Sequence, residues 1–79
     1  MFFVYILECS DNTLYVGSTT NMERRLHQHN HAKSGARYTK IRRPVVLKYS
    51  EVCLTFKEMR AREAAIKRLT RKQKLKLIQ

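Results

Sequence analysis

The stretch from Tyr15 to His29, which reads YVGSTTNMERRLHQH, predicts a short strand that turns directly into a helix. Residues 20–23, TNME, have the S/T-x-x-E form of a capping box. In such a box a hydroxyl and a carboxylate satisfy the free backbone amides at the start of a helix. The helix is therefore expected to begin just after Thr20 and to run to about Asn30.

This helix carries two polar side chains beside its docking face. At about 100° per residue, four side chains fall on one stripe: Met22, Arg25, Leu26 and His29. Because the two apolar members must dock the helix, Arg25 and His29 are expected at the edge of the docking face rather than in solvent. An arginine and a histidine one turn apart, just past a strand that ends in tyrosine and glycine, form a candidate site.

The chain is short and strongly basic. Its 79 residues leave room for one hydrophobic core, so we expect a single domain over residues 1–79. The formal net charge of +11 lies entirely in residues 37–79, whereas acidic and basic residues cancel in residues 1–36. This asymmetry favours a polyanionic partner, with nucleic acid first and an anionic membrane surface second; plain solubility is the alternative.

The sequence favours a cytoplasmic location. The apolar opening, residues 1–7, lacks a basic leader region and a small-residue cleavage site, and it is too short to span a bilayer. Cys9 and Cys53 do not have the spacing of a metal or redox motif, so reduced thiols in the core are expected. We therefore predict a cytoplasmic protein without a membrane partner.

The N-terminal segment predicts an antiparallel hairpin. Residues 2–8 are aromatic and β-branched, residues 10–12 have turn chemistry, and residues 13–16 return as the second strand. With an odd number of residues in the loop, Tyr5 and Tyr15 come opposite each other on one sheet face. Each tyrosine alone is typical of an amphipathic strand, but together they join the candidate site.

Residues 30–44 are predicted to form a basic connection that is ordered only in part. The segment contains Gly35, and Tyr38 is its one large side chain that could stack on a base or border the site. His27 and His31 are typical of solvated helix and loop positions and are assigned no role.

A third strand and a second helix follow. Residues 45–53 predict the strand, buried at its start and alternating later. Residues 55–58, TFKE, form a second capping box, with Leu54 and Met59 placed as a hydrophobic staple. The helix is expected to run to about Leu69.

The apolar stripe of that helix surrounds the carboxylate of Glu63. The stripe consists of Phe56, Met59 and Ile66. A carboxylate taken out of water without a partner costs several kcal/mol, so Glu63 should be paired, hydrogen-bonded or holding a cation. One interpretation is a buried salt bridge to Arg25 or Lys67. The other is a metal ligand, because Mg²⁺ accepts one protein carboxylate together with waters and phosphate oxygens.

A third segment of capping-box form, TRKQ at residues 70–73, predicts a short terminal helix ending near Ile78. Leu75 and Ile78 are expected to dock it. Its basic side chains would stay outside, either as a solvated face or as one that follows phosphates: Arg71, Lys72, Lys74 and Lys76.

With these residues in view, the chain resembles the GIY-YIG nuclease superfamily, and within it the small stand-alone UPF0213 type. Residues 3–5, FVY, match the first motif and residues 15–17, YVG, match the second. Arg25 is followed four residues later by His29, and Glu63 falls where the family places its metal-binding glutamate.

The resemblance covers nearly the whole chain, and one departure is the lack of a late asparagine that several family nucleases use. Residues 35–39, 42–44 and 63–72 look like the UPF0213 branch in particular. Phe3 replaces the family's first glycine, and Ser18 stands where many members have a lysine.

The resemblance implies an α+β fold in which helices flank a three-stranded antiparallel β-sheet, in the order β-β-α-β-α-α and with the site on one sheet face. It implies phosphodiester hydrolysis with one divalent cation, Mg²⁺ or Mn²⁺, and no small-molecule cofactor. Glu63 would hold the cation, and Arg25 would stabilise the transition state.

The same resemblance implies that Tyr5 or Tyr15 activates or orients the attacking water, while His29 assists proton transfer or positions the phosphate. A tyrosine is a poor base at its usual pKa of about 10. That role therefore needs help from neighbouring cations, which Arg25 and the metal would give.

A further set of residues is expected to contact nucleic acid, with DNA favoured over RNA and a protein partner as one source of targeting. They are Gly17, Arg37, Tyr38, Lys40, Arg42, Arg43, Lys67, Arg71 and Lys72. Three functions stay open at this point: a small DNA endonuclease in repair or in processing of unusual structures, a non-catalytic nucleic-acid-binding module, and a basic surface-interaction protein whose polar core residues are structural.

Overall fold

The computed structural model describes residues 1–33 and 36–79; Ser34 and Gly35, which belong to the connection predicted to be partly ordered, lie outside the described residues. The elements in chain order are β1 (Phe2–Glu8), β2 (Leu14–Thr19), α1 (Met22–His31), α2 (Arg37–Lys40), β3 (Val46–Cys53), α3 (Phe56–Lys67) and α4 (Arg71–Ile78). The strands form one antiparallel sheet in the order β2-β1-β3. The predicted fold class is confirmed, and the element order differs from the prediction by the one-turn helix α2.

β1 is the central strand, which explains why nearly all of its sequence, FFVYILE, is apolar. Side chains alternate across a strand, so β1 contributes to a hydrophobic cluster on each face. One cluster joins the sheet to α3 and contains Val4, Ile6, Val16, Cys53, Met59 and Ile66. The other contains Tyr5, Leu7, Cys9 and Val45, with Met22 and Leu26 of α1 packed against it. The helices α1 and α3 therefore cover opposite faces of the sheet.

A β-bulge allows β3 to contribute to both clusters. The register between β1 and β3 shifts between Ile6 and Leu7. Leu47 packs with the cluster under α1, whereas Tyr49 packs with the cluster under α3. Residues two apart on a regular strand would share a face, so the bulge accounts for this division.

The helix starts follow the predicted pattern with one shift. α1 is capped by Asn21, whose side-chain oxygen accepts from the Arg24 amide at 3.0 Å. The predicted cap at Thr20 is therefore wrong by one residue, because asparagine supplies the same acceptor as threonine and does so here. Thr55 caps α3, and Thr70 forms the complete reciprocal capping box of α4, as predicted.

Three apolar side chains lie outside the core, contrary to the sequence prediction. Leu54 and Phe56 are 76% and 57% exposed, so the predicted staple and the first position of the α3 stripe do not pack as expected. Met59 and Ile66 are the buried residues of α3. Leu75 is also exposed, and α4 docks through Leu77 and Ile78.

Cys9 and Cys53 are buried free thiols, as predicted. Burial raises the pKa of both thiols, which keeps them protonated and unreactive at neutral pH. Over residues 1–33 and 36–79, no helix has the length and the apolar character that a membrane crossing requires.

Candidate active site

The two motif tyrosines lie on the same face of the sheet but not opposite each other. Tyr5 pairs with Gly17, and Leu7 pairs with Tyr15, so the tyrosines are diagonal neighbours. The same-face placement is confirmed, and the direct pairing is wrong. The reason is the position of the loop: residues 9–13 are centred on Asp11, whereas direct pairing of the two tyrosines requires a loop centred on Ser10.

Gly17 makes room for the ring of Tyr5. A Cβ atom at this position would lie 2.6 Å from Cζ of Tyr5 and 3.0 Å from its Cε1, closer than carbon atoms pack. Any larger residue would therefore displace the ring. The structure gives Gly17 this packing role, and its predicted contact with nucleic acid stays a prediction.

The Tyr5 hydroxyl reaches the buried ring of His29. Its oxygen lies 2.7 Å from Nε2, and both side chains are at most 1% exposed. On the other side of the ring, Nδ1 lies 2.8 Å from Oγ1 of Thr39, which donates to the carbonyl of Ala36 at 2.9 Å. His29 is thus fully buried rather than at the edge of the docking face, because α2 closes over it.

Burial dominates the ionisation of this pair. It raises the pKa of Tyr5 to about 12, although the Arg25 guanidinium opposes the rise. Burial also lowers the pKa of His29 to about 4, and the charges of Arg25 and Arg43 add to that effect. At neutral pH the pair consists of a phenol and a neutral imidazole, so the predicted help from Arg25 does not outweigh desolvation.

Tyr15 completes an aromatic group beside this pair. Its ring meets His29 edge-on at 5.3 Å between centroids and stacks on Tyr38 at 5.8 Å. The guanidinium carbon of Arg42 lies 3.9 Å from the centroid of the Tyr38 ring. Tyr38 is therefore held by contacts within the protein, and its stacking on a nucleic-acid base stays a prediction.

Arg25 borders a small polar cavity at the start of α1. The side chain is half-buried, and its Nη1 donates to Gln28 at 3.1 Å. The cavity has a volume of about 200 Å³ and is lined by Thr19, Thr20, Asn21, Arg24, Arg25 and Gln28. With two guanidinium groups and hydroxyls in its wall, this cavity is suited to an anion.

Glu63 approaches from the other side of the sheet. It lies on α3, and its Oε1 accepts a hydrogen bond of 2.9 Å from Ser18 on the edge strand β2. Its Oε2 lies 3.3 Å from Nζ of Lys67. Of the two predicted ion-pair partners within the described residues, Lys67 is the one in contact, rather than Arg25.

The charges of α1 and α3 nevertheless act on the same phenol. The Arg25 guanidinium lowers the pKa of Tyr5, and the charge of the Glu63 carboxylate raises it. The implied site on one sheet face is therefore corrected. Tyr5 and His29 lie on the sheet face that α1 covers, whereas Glu63 lies on α3, which covers the opposite face.

The donor set around Glu63 fits a cation that is shared with a substrate. In the part of the chain that the structure describes, no three His, Cys, Asp or Glu side chains converge into a metal cluster. Glu63 borders a cavity of about 360 Å³ together with Arg60, Ala64 and Lys67. One carboxylate beside open space suits Mg²⁺, which binds through one or two carboxylates, waters and substrate phosphates.

Residues 1–76 match the family model described as the GIY-YIG catalytic domain. The chain belongs to the GIY-YIG family. It is 54% identical over 76 residues to a UPF0213 protein of Syntrophus aciditrophicus, covering 96% of this chain and 87% of that protein. It is 53% identical over 77 residues to a UPF0213 protein of Staphylococcus haemolyticus, covering 98% and 93%.

Solved structures agree with this GIY-YIG assignment. The solution NMR structure of a UPF0213 protein from Bacillus halodurans superposes with a TM-score of 0.62 at 37% identity, covering 99% of this chain and 83% of that one. A protein from E. faecalis gives a TM-score of 0.62 at 47% identity, covering 91% and 76%. GIY-YIG membership implies the nuclease class, suggests nucleic-acid binding and is generally associated with a divalent metal.

Two arginines that were predicted to contact nucleic acid have partners inside this GIY-YIG protein. Arg42 forms an ion pair with Asp11 at 3.0 Å. Arg43 donates to the carbonyls of His29 and Ala32 at 2.7 and 2.6 Å. The other basic residues of the predicted set are exposed: Arg37, Lys40, Lys67, Arg71 and Lys72.

Ser18 and Thr39, which hold candidate site residues by hydrogen bonds, were not predicted from the sequence. The role of Ser18 could have been predicted, because strand alternation turns its side chain away from Tyr15 and toward the helix that carries Glu63. No sequence pattern predicted the burial of Thr39, since it depends on the formation of α2 in a segment predicted to be a loop.

Proposed function

We propose that this chain is a small divalent-metal-dependent endonuclease that hydrolyses phosphodiester bonds in DNA, in repair or processing of structured DNA in the cytoplasm. The observation that carries the proposal is the buried hydrogen bond of 2.7 Å between Tyr5 and His29 Nε2. The charges of Arg25 and Glu63 both affect the pKa of Tyr5, in opposite directions. We therefore propose that this pair moves a proton, while Arg25 binds the phosphate and Glu63 binds the cation.

Tyr5 and His29 would form a proton relay. As water attacks phosphorus, its proton passes to the phenol oxygen and the phenol proton passes to Nε2 of His29. The relay needs a neutral imidazole, and burial together with Arg25 and Arg43 provides one. A phosphate bound at Arg25 would offset that positive charge and so make His29 a stronger base when substrate is present.

The attack on the phosphate would involve three further side chains: Arg25, Glu63 and Tyr15. A fixed guanidinium suits the extra charge of the transition state, which gives Arg25 its role. Glu63 would hold the cation, which neutralises charge on the scissile phosphate when bound. Ser18 orients that carboxylate, and Lys67 would release it to the cation. Tyr15, packed edge-on against His29, would orient the attacking water.

The exposed basic residues would contact the DNA backbone. The net charge of +11 lies in the half of the chain that contains α3 and α4. Lysine and arginine side chains contact phosphates without reading sequence, and their binding weakens as salt rises. We therefore propose binding with little sequence preference through Arg37, Lys40, Lys67, Arg71 and Lys72. The choice of DNA over RNA follows the family resemblance.

Replacement of Glu63 tests the proposal. Glu63→Ala should abolish Mg²⁺- or Mn²⁺-dependent nicking of supercoiled, duplex and branched DNA, while DNA binding and its salt dependence persist. Glu58→Ala is the matched control, because Glu58 is an exposed carboxylate on the same helix. Glu63→Ala cleaving at the wild-type rate would overturn the proposed role of Glu63.

A non-catalytic nucleic-acid-binding module is the second candidate, and one observation favours it. Both carboxylate oxygens of Glu63 already have partners, Ser18 at 2.9 Å and Lys67 at 3.3 Å. This candidate predicts salt-sensitive DNA binding without cleavage by the wild-type protein on any of the three substrates. Loss of binding at low salt would instead leave only a surface-interaction protein.

A further inference from the structure

Thr39 lies behind His29 and takes no part in the proposed reaction. Its side chain is fully buried, as is that of His29. Its Oγ1 contacts Nδ1 of His29 at 2.8 Å and the carbonyl oxygen of Ala36 at 2.9 Å. A hydroxyl has a single hydrogen to donate, and a carbonyl oxygen can only accept.

The directions of these hydrogen bonds follow from the available donors. With the Thr39 hydrogen on the Ala36 carbonyl, the contact between Oγ1 and Nδ1 requires a hydrogen on Nδ1. A neutral histidine then has a bare Nε2, which accepts from the Tyr5 hydroxyl at 2.7 Å. In this series of hydrogen bonds, which runs from the Tyr5 hydroxyl through His29 and Thr39 to the Ala36 carbonyl, every hydrogen has an acceptor.

The reversed chain leaves one hydrogen without a partner. If Thr39 donated to Nδ1, then Nε2 would carry the ring hydrogen and donate to the oxygen of Tyr5. The Tyr5 hydrogen would then have no acceptor among residues 1–33 and 36–79, although the side chain is 1% exposed. A buried hydroxyl without a partner is costly, so the reversed arrangement is disfavoured.

We propose that Thr39 is a positioning residue that fixes His29 as the Nδ1–H tautomer and so directs the Nε2 lone pair at Tyr5. This inference rests on the proposed function for its catalytic consequence, but the tautomer itself does not. The one-turn helix α2 delivers Thr39 to the ring, and the neighbouring Tyr38 stacks on Tyr15. The segment between α1 and β3 therefore orients side chains of the site as well as connecting elements.

Side-chain ¹⁵N NMR of His29 tests the proposal without any activity measurement. Long-range ¹⁵N–¹H correlation spectra distinguish a protonated ring nitrogen from a bare one. In the wild-type protein Nδ1 should be protonated and Nε2 bare. Thr39→Val keeps the shape and removes the hydroxyl, so either tautomer leaves one buried hydrogen without an acceptor, and the Nε2–H form should become populated beside the Nδ1–H form. Thr39→Ser keeps the hydroxyl and should keep the wild-type tautomer.

Three outcomes would overturn the proposal: a wild-type ring with its hydrogen on Nε2, an unchanged tautomer in Thr39→Val, or a changed one in Thr39→Ser. The wild-type spectrum tests the predicted Nδ1–H tautomer even if Thr39→Val does not fold. Cleavage assays on the same proteins separate this inference from the proposed function. A wrong tautomer can cost a hydrolase up to ~10⁴-fold in kcat, and we expect a loss of at least about tenfold in Thr39→Val with KM nearly unchanged.

Discussion

Gly17 is the residue on which the position of Tyr5 most directly depends. A Cβ atom there would lie 2.6 Å from Cζ of Tyr5, so the ring must move if Gly17 is replaced. Gly17→Ala should lower the free energy of unfolding by on the order of 1–3 kcal/mol through overpacking, and nicking should fall with it. Urea denaturation and a cleavage assay measure the two effects.

A double-mutant cycle provides the control for Gly17. In a Tyr5→Leu background the phenol ring is gone, so Gly17→Ala should be clearly less destabilising than in the wild type. An equal cost in both backgrounds would contradict the steric account and indicate that the glycine backbone itself is needed.

The pKa of His29 makes stability depend on pH in a definite direction. Burial and two arginines lower this pKa from 6.5 to about 4, so the unfolded chain binds a proton more readily than the native protein between those values. His29 does not lower the free energy of unfolding above pH 6.5, but it lowers it increasingly as the pH falls toward 4. The total loss is on the order of 3 kcal/mol.

Unfolding free energies of His29→Gln measured between pH 7 and pH 4 test this linkage. The variant has no titrating ring at this position, so its stability should fall less steeply with pH than that of the wild type. His27→Gln is the control, because His27 is exposed, and it should follow the wild-type curve. Parallel curves for wild type and His29→Gln would show that the buried ring is not the source.

At the scale of elements, Arg43 fixes the C-terminal end of α1. Its guanidinium donates to the carbonyls of His29 and Ala32, which have no partners within the helix, and its charge complements the helix dipole. Arg43→Gln should therefore cost about 1.5–3 kcal/mol in unfolding free energy. The folded variant should bind DNA nearly as well as the wild type.

Arg71→Gln on α4 is the matched comparison for Arg43. Its side chain is exposed, so the same substitution should leave stability within ~0.5 kcal/mol and weaken DNA binding. Urea denaturation and DNA titration at low salt separate the two roles. Arg43→Gln losing affinity without losing stability would return Arg43 to the DNA-contacting set.

The elements that the sequence predicted well are those with local signals. Thr55 and Thr70 cap their helices because a hydroxyl and the amide it accepts lie within one turn. The helix α2 was not predicted because its four residues contain no apolar periodicity. The hydrogen-bond partner of the buried Thr39 is His29, which lies on α1. The offset between Tyr5 and Tyr15 depended on which residue lies at the centre of the hairpin loop, and residue types did not specify that position.

At the scale of the whole molecule, the site draws on residues far apart in sequence. Charge distribution alone predicted a basic half, and helical periodicity placed Arg25 and Glu63 near docking faces. Neither pattern could say that α1 and α3 lie on opposite faces of the sheet. Ser18 shows how distant residues come together, since it links the edge strand β2 to Glu63 of α3 across 45 positions of the chain.

The account as a whole depends on the Tyr5 hydroxyl and its bond to His29. The most direct measurement is the rate of Mn²⁺-dependent nicking by Tyr5→Phe beside that of Tyr49→Phe, a second tyrosine of the same sheet that bonds Glu51 instead. Each variant loses one hydroxyl and keeps its ring. We predict that Tyr5→Phe is slower by at least about 100-fold, in the range of proton-transfer catalysis, and that Tyr49→Phe stays close to wild type. Tyr5→Phe cleaving DNA at the wild-type rate would contradict the account.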